Sequence, residues 1–353
     1  MKALNVYIRG IGAVSIQQPL SVAGVFDPLA YKTPQVRCIE PDFRQFIEPM
    51  AARRMSPIIK RAIVSSMWAM REAGEFMPDA ILSGTGLGCV EDTERFLGAM
   101  VREGEECLRP AFFIHSTHNT INSQIAIRIK CHGYNNTHVH RGISFESALQ
   151  EAGLLFANKR IRSALVGGHE ELTPTYFNLL GKLGYWREEE INSLQIVQTP
   201  GKGTFAGEGS IAFMLSQEQD GKAYARLESV EIGYGSVDLK QEAFLFLKRY
   251  GIDPGEVDVV MTGKNGDVQN DCLYDGPGKW PGREEMVYKP LCGEFFTATA
   301  YGVLVGCVCL QSGIVPAHLT LSGQEIKGVR RLLVVNHWQG KEYSFILLSS
   351  CGN

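Results

Sequence analysis

Residues 137–171 read THVHRGISFESALQEAGLLFANKRIRSALVGGHEE. The order of residue types spells a strand, a sharp turn, a helix, and then a buried strand that ends in glycines. In α/β enzymes such a turn is a favoured seat for a nucleophile, because the side chain there stands at the positive end of the following helix. The residue at this turn is Gly142, with Arg141 before it and Ile143 after it. The seat has no side chain in it.

Ser144, next in the chain, reads as an N-cap whose hydroxyl serves the amides of the first turn. It lacks the second glycine of G-x-S-x-G that relieves crowding around a nucleophilic serine. Glu146 and Glu151, in the first two turns, suit the positive end of the helix dipole.

Working outward, NVYIRGIGAVS (residues 5–15) reads as a strand entering a glycine-rich turn. MSPIIKRAIVSSMWAMREAGEF (55–76) reads as an amphipathic helix with Ser56 as cap, Pro57 at its first position and Gly74 as its stop. DAILSGTGLG (79–88) is a buried strand running into glycines, and EGSIAFMLS (208–216) is another apolar strand. The order then repeats. AYARLESVEIGYGS parallels the opening strand, and VDVVMTGKNGD parallels AILSGTGLG. FTATAYGVLVGCVCLQSGIVP parallels the helix at Ser144, and EYSFILLSS parallels GSIAFMLSQ. The pattern predicts a duplicated α/β unit, residues 1–220 and 221–353, whose two sheets pack together under helices. The main insertion lies at about residues 92–134.

Composition sets bounds. The chain has 353 residues, 44% of them hydrophobic and 21% charged, with a net charge of −3. That balance gives no electrostatic case for nucleic acid or an anionic membrane surface. Apolar runs such as YGVLVGCVCL (301–310) are too short to span a bilayer, and no secretory leader pattern opens the chain. The nine cysteines include no C-x-x-C pair. The expectation is a reducing cytoplasm, with neither a disulfide framework nor a zinc site.

Other candidate sites are weak. GTGLG (84–88) leaves the dinucleotide fingerprint incomplete. TPGKGTFAGEGSIAF (199–213) leads into a strand, whereas a phosphate loop of the G-K-[ST] type opens a helix. His115 and His118, or His138 and His140, have no zinc spacing with a third ligand, so no metal and no cofactor are expected. Cys292, beside a glycine turn before a helix, is the most site-like cysteine.

Taken together, these segments resemble the β-ketoacyl synthase branch of the thiolase-like condensing enzymes across nearly the whole chain. VYIRGIGAVS is similar to the family's opening strand, and RRMSPIIKRAIVSSMWAMREAG to its early helix. GTGLG has the family's own letters, SALVGGHEE is similar to ALAGGSEA, and GTFAGEGSIAFMLS to GFVMGEGAGVLVLE. PAFFIHSTHNTINSQIAIRIKCHGYNNT resembles the stretch that crosses the family's dimer interface. LQSGIVPAHL and VVNHWQGKEYSFILLSS complete the series.

The resemblance implies an α/β fold of the five-layered αβαβα thiolase type. It also implies a cysteine and two histidines for thioester formation, decarboxylation and Claisen condensation. Here the cysteine position falls on Gly142, the first histidine on Thr262 and the second on Glu294. The family's lysine remains as Lys289, and Asn336 remains in the C-terminal loop. Glycine offers no nucleophile, threonine is no base near neutral pH, and a glutamate repels the anion it should bind.

The resemblance therefore points to a chain-length-factor-type subunit, although familiar chain-length factors have glutamine where this chain has Gly142. Such a subunit pairs with an active ketosynthase and an acyl carrier protein in bacterial fatty-acid or polyketide synthesis, of the aryl polyene or pigment type. Phe113 and Ile125 are expected at the interface, with Phe145, Phe295, Phe296 and Trp338 filling the acyl pocket. Two alternatives stand beside it. One is a divergent acyltransferase, condensing enzyme or carbon–sulfur hydrolase using Ser144, Cys292 or Glu294. The other is a homodimeric acyl-binding scaffold.

Overall fold

The computed structural model describes residues 4–74, 77–104, 110–219 and 221–352. Residues 75 and 76 of the predicted first helix, and 105–109 of the predicted insertion, lie outside the described residues. The strands are β1 (Val6–Val14), β2 (Ala80–Gly84), β3 (Tyr134–His138), β4 (Ser163–Glu170), β5 (Gly209–Ser216), β6 (Ala225–Tyr234), β7 (Val259–Thr262), β8 (Glu284–Val287), β9 (Ile314–Val315), β10 (Ile326–Lys327), β11 (Arg331–Trp338) and β12 (Glu342–Ser349). The helices of seven residues or more are α1 (Pro57–Ala73), α2 (Val90–Glu103), α3 (Pro110–Ser116), α4 (Thr120–Ile129), α5 (Ser144–Ala157), α6 (Pro174–Lys182), α7 (Leu239–Tyr250) and α8 (Ala298–Ser312).

Ten strands form one sheet in the order β3-β2-β4-β5-β1-β6-β12-β11-β7-β8, and β9 pairs with β10 apart from it. From one edge, β3, β2 and β4 are parallel, and β5 and β1 follow antiparallel. From the other edge, β8, β7 and β11 are parallel, and β12 and β6 follow antiparallel. The duplication read in the sequence is thus repeated strand for strand. The expectation of two separate sheets needs correcting. β1 and β6 pair edge to edge through Val6–Leu227, Tyr7–Arg226 and Ile8–Ala225, which makes the sheet continuous.

The sheet folds around α5 and α8. One core cluster takes Phe145 and Leu149 from α5, Val303 and Cys307 from α8, Leu82 and Phe213 from the first half, and Val334 and Ile346 from the second. α1 and α4 cover the outer face of the first half, with Ile59, Ile63 and Ile125 against Leu165 and Met214. α7 covers the second, with Phe246 against Val260 and Phe345. The result is the expected series of layers, helix, sheet, helix, sheet, helix. Because α8 is the middle layer, every residue from Ala298 to Leu310 is buried, so it has no polar face to show in sequence.

Two local expectations are also corrected. Gly10 and Gly12 lie inside β1 and do not form a turn. A Cβ at Gly10 would come within 2.1 Å of Ala69 O, and one at Gly12 within 1.9 Å of Ser65 O, so the glycines let α1 press its backbone onto the strand. At the start of α1, Ser56 makes no side-chain cap. Glu171, from the end of β4, accepts the Ile58 amide at 3.2 Å in its place. Pro57 and the left-handed Gly74 stand where expected.

Candidate functional site

A single 3-10 turn, Arg141–Ile143, joins the end of the β3 segment to α5. Arg141 carries the left-handed backbone, with φ 48°. The Ser144 hydroxyl does not serve the first-turn amides, as a cap would. It accepts the His140 amide at 2.7 Å and donates to Arg141 O at 2.7 Å, which locks the turn. Glu146 and Glu151 are likewise not exposed dipole partners. Glu146 is fully buried and accepts from Asn336 Nδ2 at 3.2 Å and Ser344 Oγ at 3.0 Å. Burial pushes its carboxyl above the usual range. Glu151 ties down β3, accepting from Tyr134 Oη at 2.5 Å and Asn136 Nδ2 at 2.9 Å, with His138 Nε2 at 2.6 Å.

Gly142 is buried, and a Cβ built on it would lie 2.8 Å from Cβ, Cδ2 and Cε3 of Trp338. The volume that a nucleophile's side chain would need is filled by an indole. Asn336 Nδ2 donates to Gly142 O at 3.3 Å, holding the turn against the end of β11.

The other two residues that the resemblance assigns to catalytic positions are also engaged. Thr262, at the end of β7, donates its hydroxyl to Glu285 Oε1 at 2.8 Å. Glu294 accepts from Lys289 Nζ at 2.7 and 2.9 Å and from Asn265 Nδ2 at 2.5 Å. Lys289 is buried, so this is a neutralised ion pair. His337, not singled out in the sequence, lies beside it. Burial and the Lys289 charge lower its pKa to about 4. It is therefore neutral near pH 7, and its Nε2–H donates to Asn270 O at 3.1 Å. The only sequence signal was its place in VVNHWQGKE.

A cleft of about 330 Å³ opens onto this group, lined by Asn265, Asn270, Lys289, Glu294, His337 and Trp338. Behind it is a hollow of only about 30 Å³, lined by Glu170, Tyr176, Leu180, Phe295, Phe296 and Trp338. Tyr185, Glu294 and Trp338 line both, so they form the partition between them. The indole packs on Phe296 with ring centroids 4.7 Å apart. It is carried by the hairpin after β11, where Gln339 (φ 51°) and Gly340 (φ 64°) both take left-handed conformations. Gln339 Nε2 donates to Tyr185 Oη at 2.5 Å, fastening the hairpin to the rim.

The remaining candidates separate. Phe295 and Phe296 line the hollow, but Phe145 belongs to the central core against Phe213, 5.7 Å between centroids. Ile125 is 1% exposed and packs under α1, so it cannot face a partner as expected. Phe113 is 57% exposed and packs on Phe96. Cys292 is no nucleophile candidate. It is fully buried, burial pushes its thiol well up, and it ends a four-residue helical turn.

His115 lies beside Asp92, His118 against Gly88, His138 on Glu151, and His140 stacked on Tyr234. In GTGLG the amides of Gly86 and Leu87 are taken by Glu170 at 2.8 and 3.1 Å, which leaves no cradle for a phosphate. In TPGKG, Arg187 holds the carbonyls of Thr199, Gly203 and Gly266, a purely structural clamp.

Against this geometry stand the comparisons. Residues 19–221 match the family model described as beta-ketoacyl synthase, N-terminal domain. Among solved structures, the chain is similar to the ishigamide ketosynthase/chain length factor, with a TM-score of 0.82 at 16% identity over 99% of this chain and 100% of that one. It is similar to a beta-ketoacyl synthase from Burkholderia phymatum, with 0.81 at 15% identity over all of both chains. A third is a type II PKS acyl-carrier protein in complex with its ketosynthase bound to the hexaketide, with 0.78 at 14% identity over 99% and 100%. At these identities the likeness is one of fold. No curated protein matches the sequence.

Proposed function

The chain belongs to the β-ketoacyl synthase family, and from that premise we propose that it is a non-catalytic, chain-length-factor-type subunit. It pairs with an active ketosynthase and works with an acyl carrier protein in assembling a polyketide or fatty-acid-type chain, an aryl polyene or pigment-type product being what the resemblance to chain-length factors suggests. One observation carries this reading. The nucleophile's place is both vacant and filled, because Gly142 has no side chain and Trp338 lies 2.8 Å from where a Cβ would begin. The paired Lys289–Glu294 and the bonded Thr262 support it, since neither histidine position offers a base or an enolate-stabilising cation. The similarity to a ketosynthase in complex with its acyl-carrier protein supports the choice of partners.

The alternative nucleophiles fare worse. Ser144 is turned into its own turn, Cys292 is buried, and Glu294 is held by Lys289. The test is intact-protein mass spectrometry after incubation with acyl-carrier-protein and acyl-coenzyme A thioesters. The isolated chain should gain no acyl mass, whereas a ketosynthase co-purified with it should. A stoichiometric adduct on this chain overturns the reading, and the mapped residue names the nucleophile.

A further inference from the structure

The opposite end of the sheet carries an open recess of about 470 Å³, lined by Arg226, Glu228, Asp258, Arg283, Arg330 and Arg331 together with the adjoining backbone. Arg331 begins β11, whose other end carries Trp338. At about 3.3 Å per residue the recess lies roughly 23 Å from the partitioned cleft.

Its carboxylates are already committed. Glu228 is 2% exposed and accepts from both Arg226 and Arg331. Glu256 accepts from Arg331. Asp258 Oδ2 takes the backbone amides of Arg330 and Arg331 at 2.8 and 3.0 Å. Its donors are not used up. The Arg330 guanidinium has no partner among the described residues. Arg283 comes no nearer than 3.9 Å to Asp258 and is 76% exposed. Arg331 Nε has no acceptor among the described residues, but it is closed off from the recess, so the donors open to a ligand are those of Arg330 and Arg283.

We propose that this recess binds a phosphate-bearing small molecule. Two exposed guanidinium forks, Arg283 and Arg330, beside one concavity offer several N–H donors, which match the several acceptor oxygens of one phosphate better than the two of a carboxylate. The recess exceeds the volume of a phosphate alone, which leaves room for the group that carries it. The site is far from the cleft, and the proposal does not depend on the subunit role.

The test is calorimetric titration of the full chain with inorganic pyrophosphate at low and at physiological salt. Saturable one-to-one binding is expected, weakened at least roughly tenfold in the double variant Arg283→Gln/Arg330→Gln. Both side chains are exposed, so the melting temperature without ligand should not change. Arg53→Gln/Arg54→Gln, which removes two exposed arginines from another face, should leave the affinity unchanged. The absence of saturable heat overturns the proposal. So does an affinity indifferent to the first pair, or one equally reduced by the second.

Discussion

Trp338 and Gly142 are complementary, and each explains the other. A cysteine restored at position 142 would have its Cβ 2.8 Å from the indole and from the Trp338 Cβ, too close for a rotamer change alone to relieve. Gly142→Cys alone should therefore lower the unfolding free energy by about 1–3 kcal/mol in urea titration, and its thiol should resist alkylation. Adding Trp338→Ala should make the double variant more stable than the sum of the singles, with a coupling of about 1 kcal/mol or more, and the thiol should then react. Additive effects would show that the two residues do not share the space. The sequence made the vacancy at Gly142 legible, because a missing side chain can be read by counting along a motif. It named Trp338 as one of four aromatic residues that could fill the pocket, but not that the indole lies on Gly142, since Trp338 arrives from a strand 196 residues away. The same reason hides His337 and the use of Glu170 against the GTGLG amides, which are contacts between elements remote in sequence.

At the scale of elements, β3 is an edge strand, pinned from inside by Glu151. Near it, α3 presents Phe113 and Ile114 to solvent, 57% and 59% exposed, and α4 presents Ile127 at 70%. In the proposed pairing these exposed apolar side chains would belong to the association surface. Phe113→Asp should abolish co-purification with a ketosynthase while leaving the melting temperature within a degree or so, since surface changes rarely exceed about 0.5 kcal/mol. Ile125→Asp should instead destabilise the chain itself, by about 3 kcal/mol or more, because it buries a charge under α1. Unaltered co-purification of the Phe113 variant would remove this surface from the proposal. For the stretch holding α4 the sequence offered only a resemblance to an interface segment, which does not say which of its apolar residues face inward. Several strands in each half were legible because buried runs bounded by glycine repeat in the same chain order twice, whereas β8 and β11 carried no such mark. The seam between β1 and β6 was not, since edge pairing leaves no mark on side-chain patterning.

At the scale of the whole molecule, stability is linked to pH through buried carboxyls. Burial raises Glu170 to about 7 and Glu171 to about 8, both above the ordinary carboxyl value. The folded state therefore holds protons that the unfolded chain has released, and stability falls as pH rises toward these values. His169 and His337 are depressed to about 3 and about 4, so they weaken the fold only as pH falls below their ordinary range. Between pH 6.5 and 8 the glutamates act alone among these four groups. Unfolding free energy should drop by about 1–3 kcal/mol over that window, and Glu171→Gln should flatten the slope. A wild-type curve that is level there would refute the linkage. The layer of α5 and α8 has a different kind of consequence. Both helices bury one side against each half of the sheet, so the two halves share one central layer in addition to the core each keeps under its outer helices. Removing either half would therefore strip water-tight cover from one side of both α5 and α8, so this architecture has no shorter version that keeps its middle layer dry.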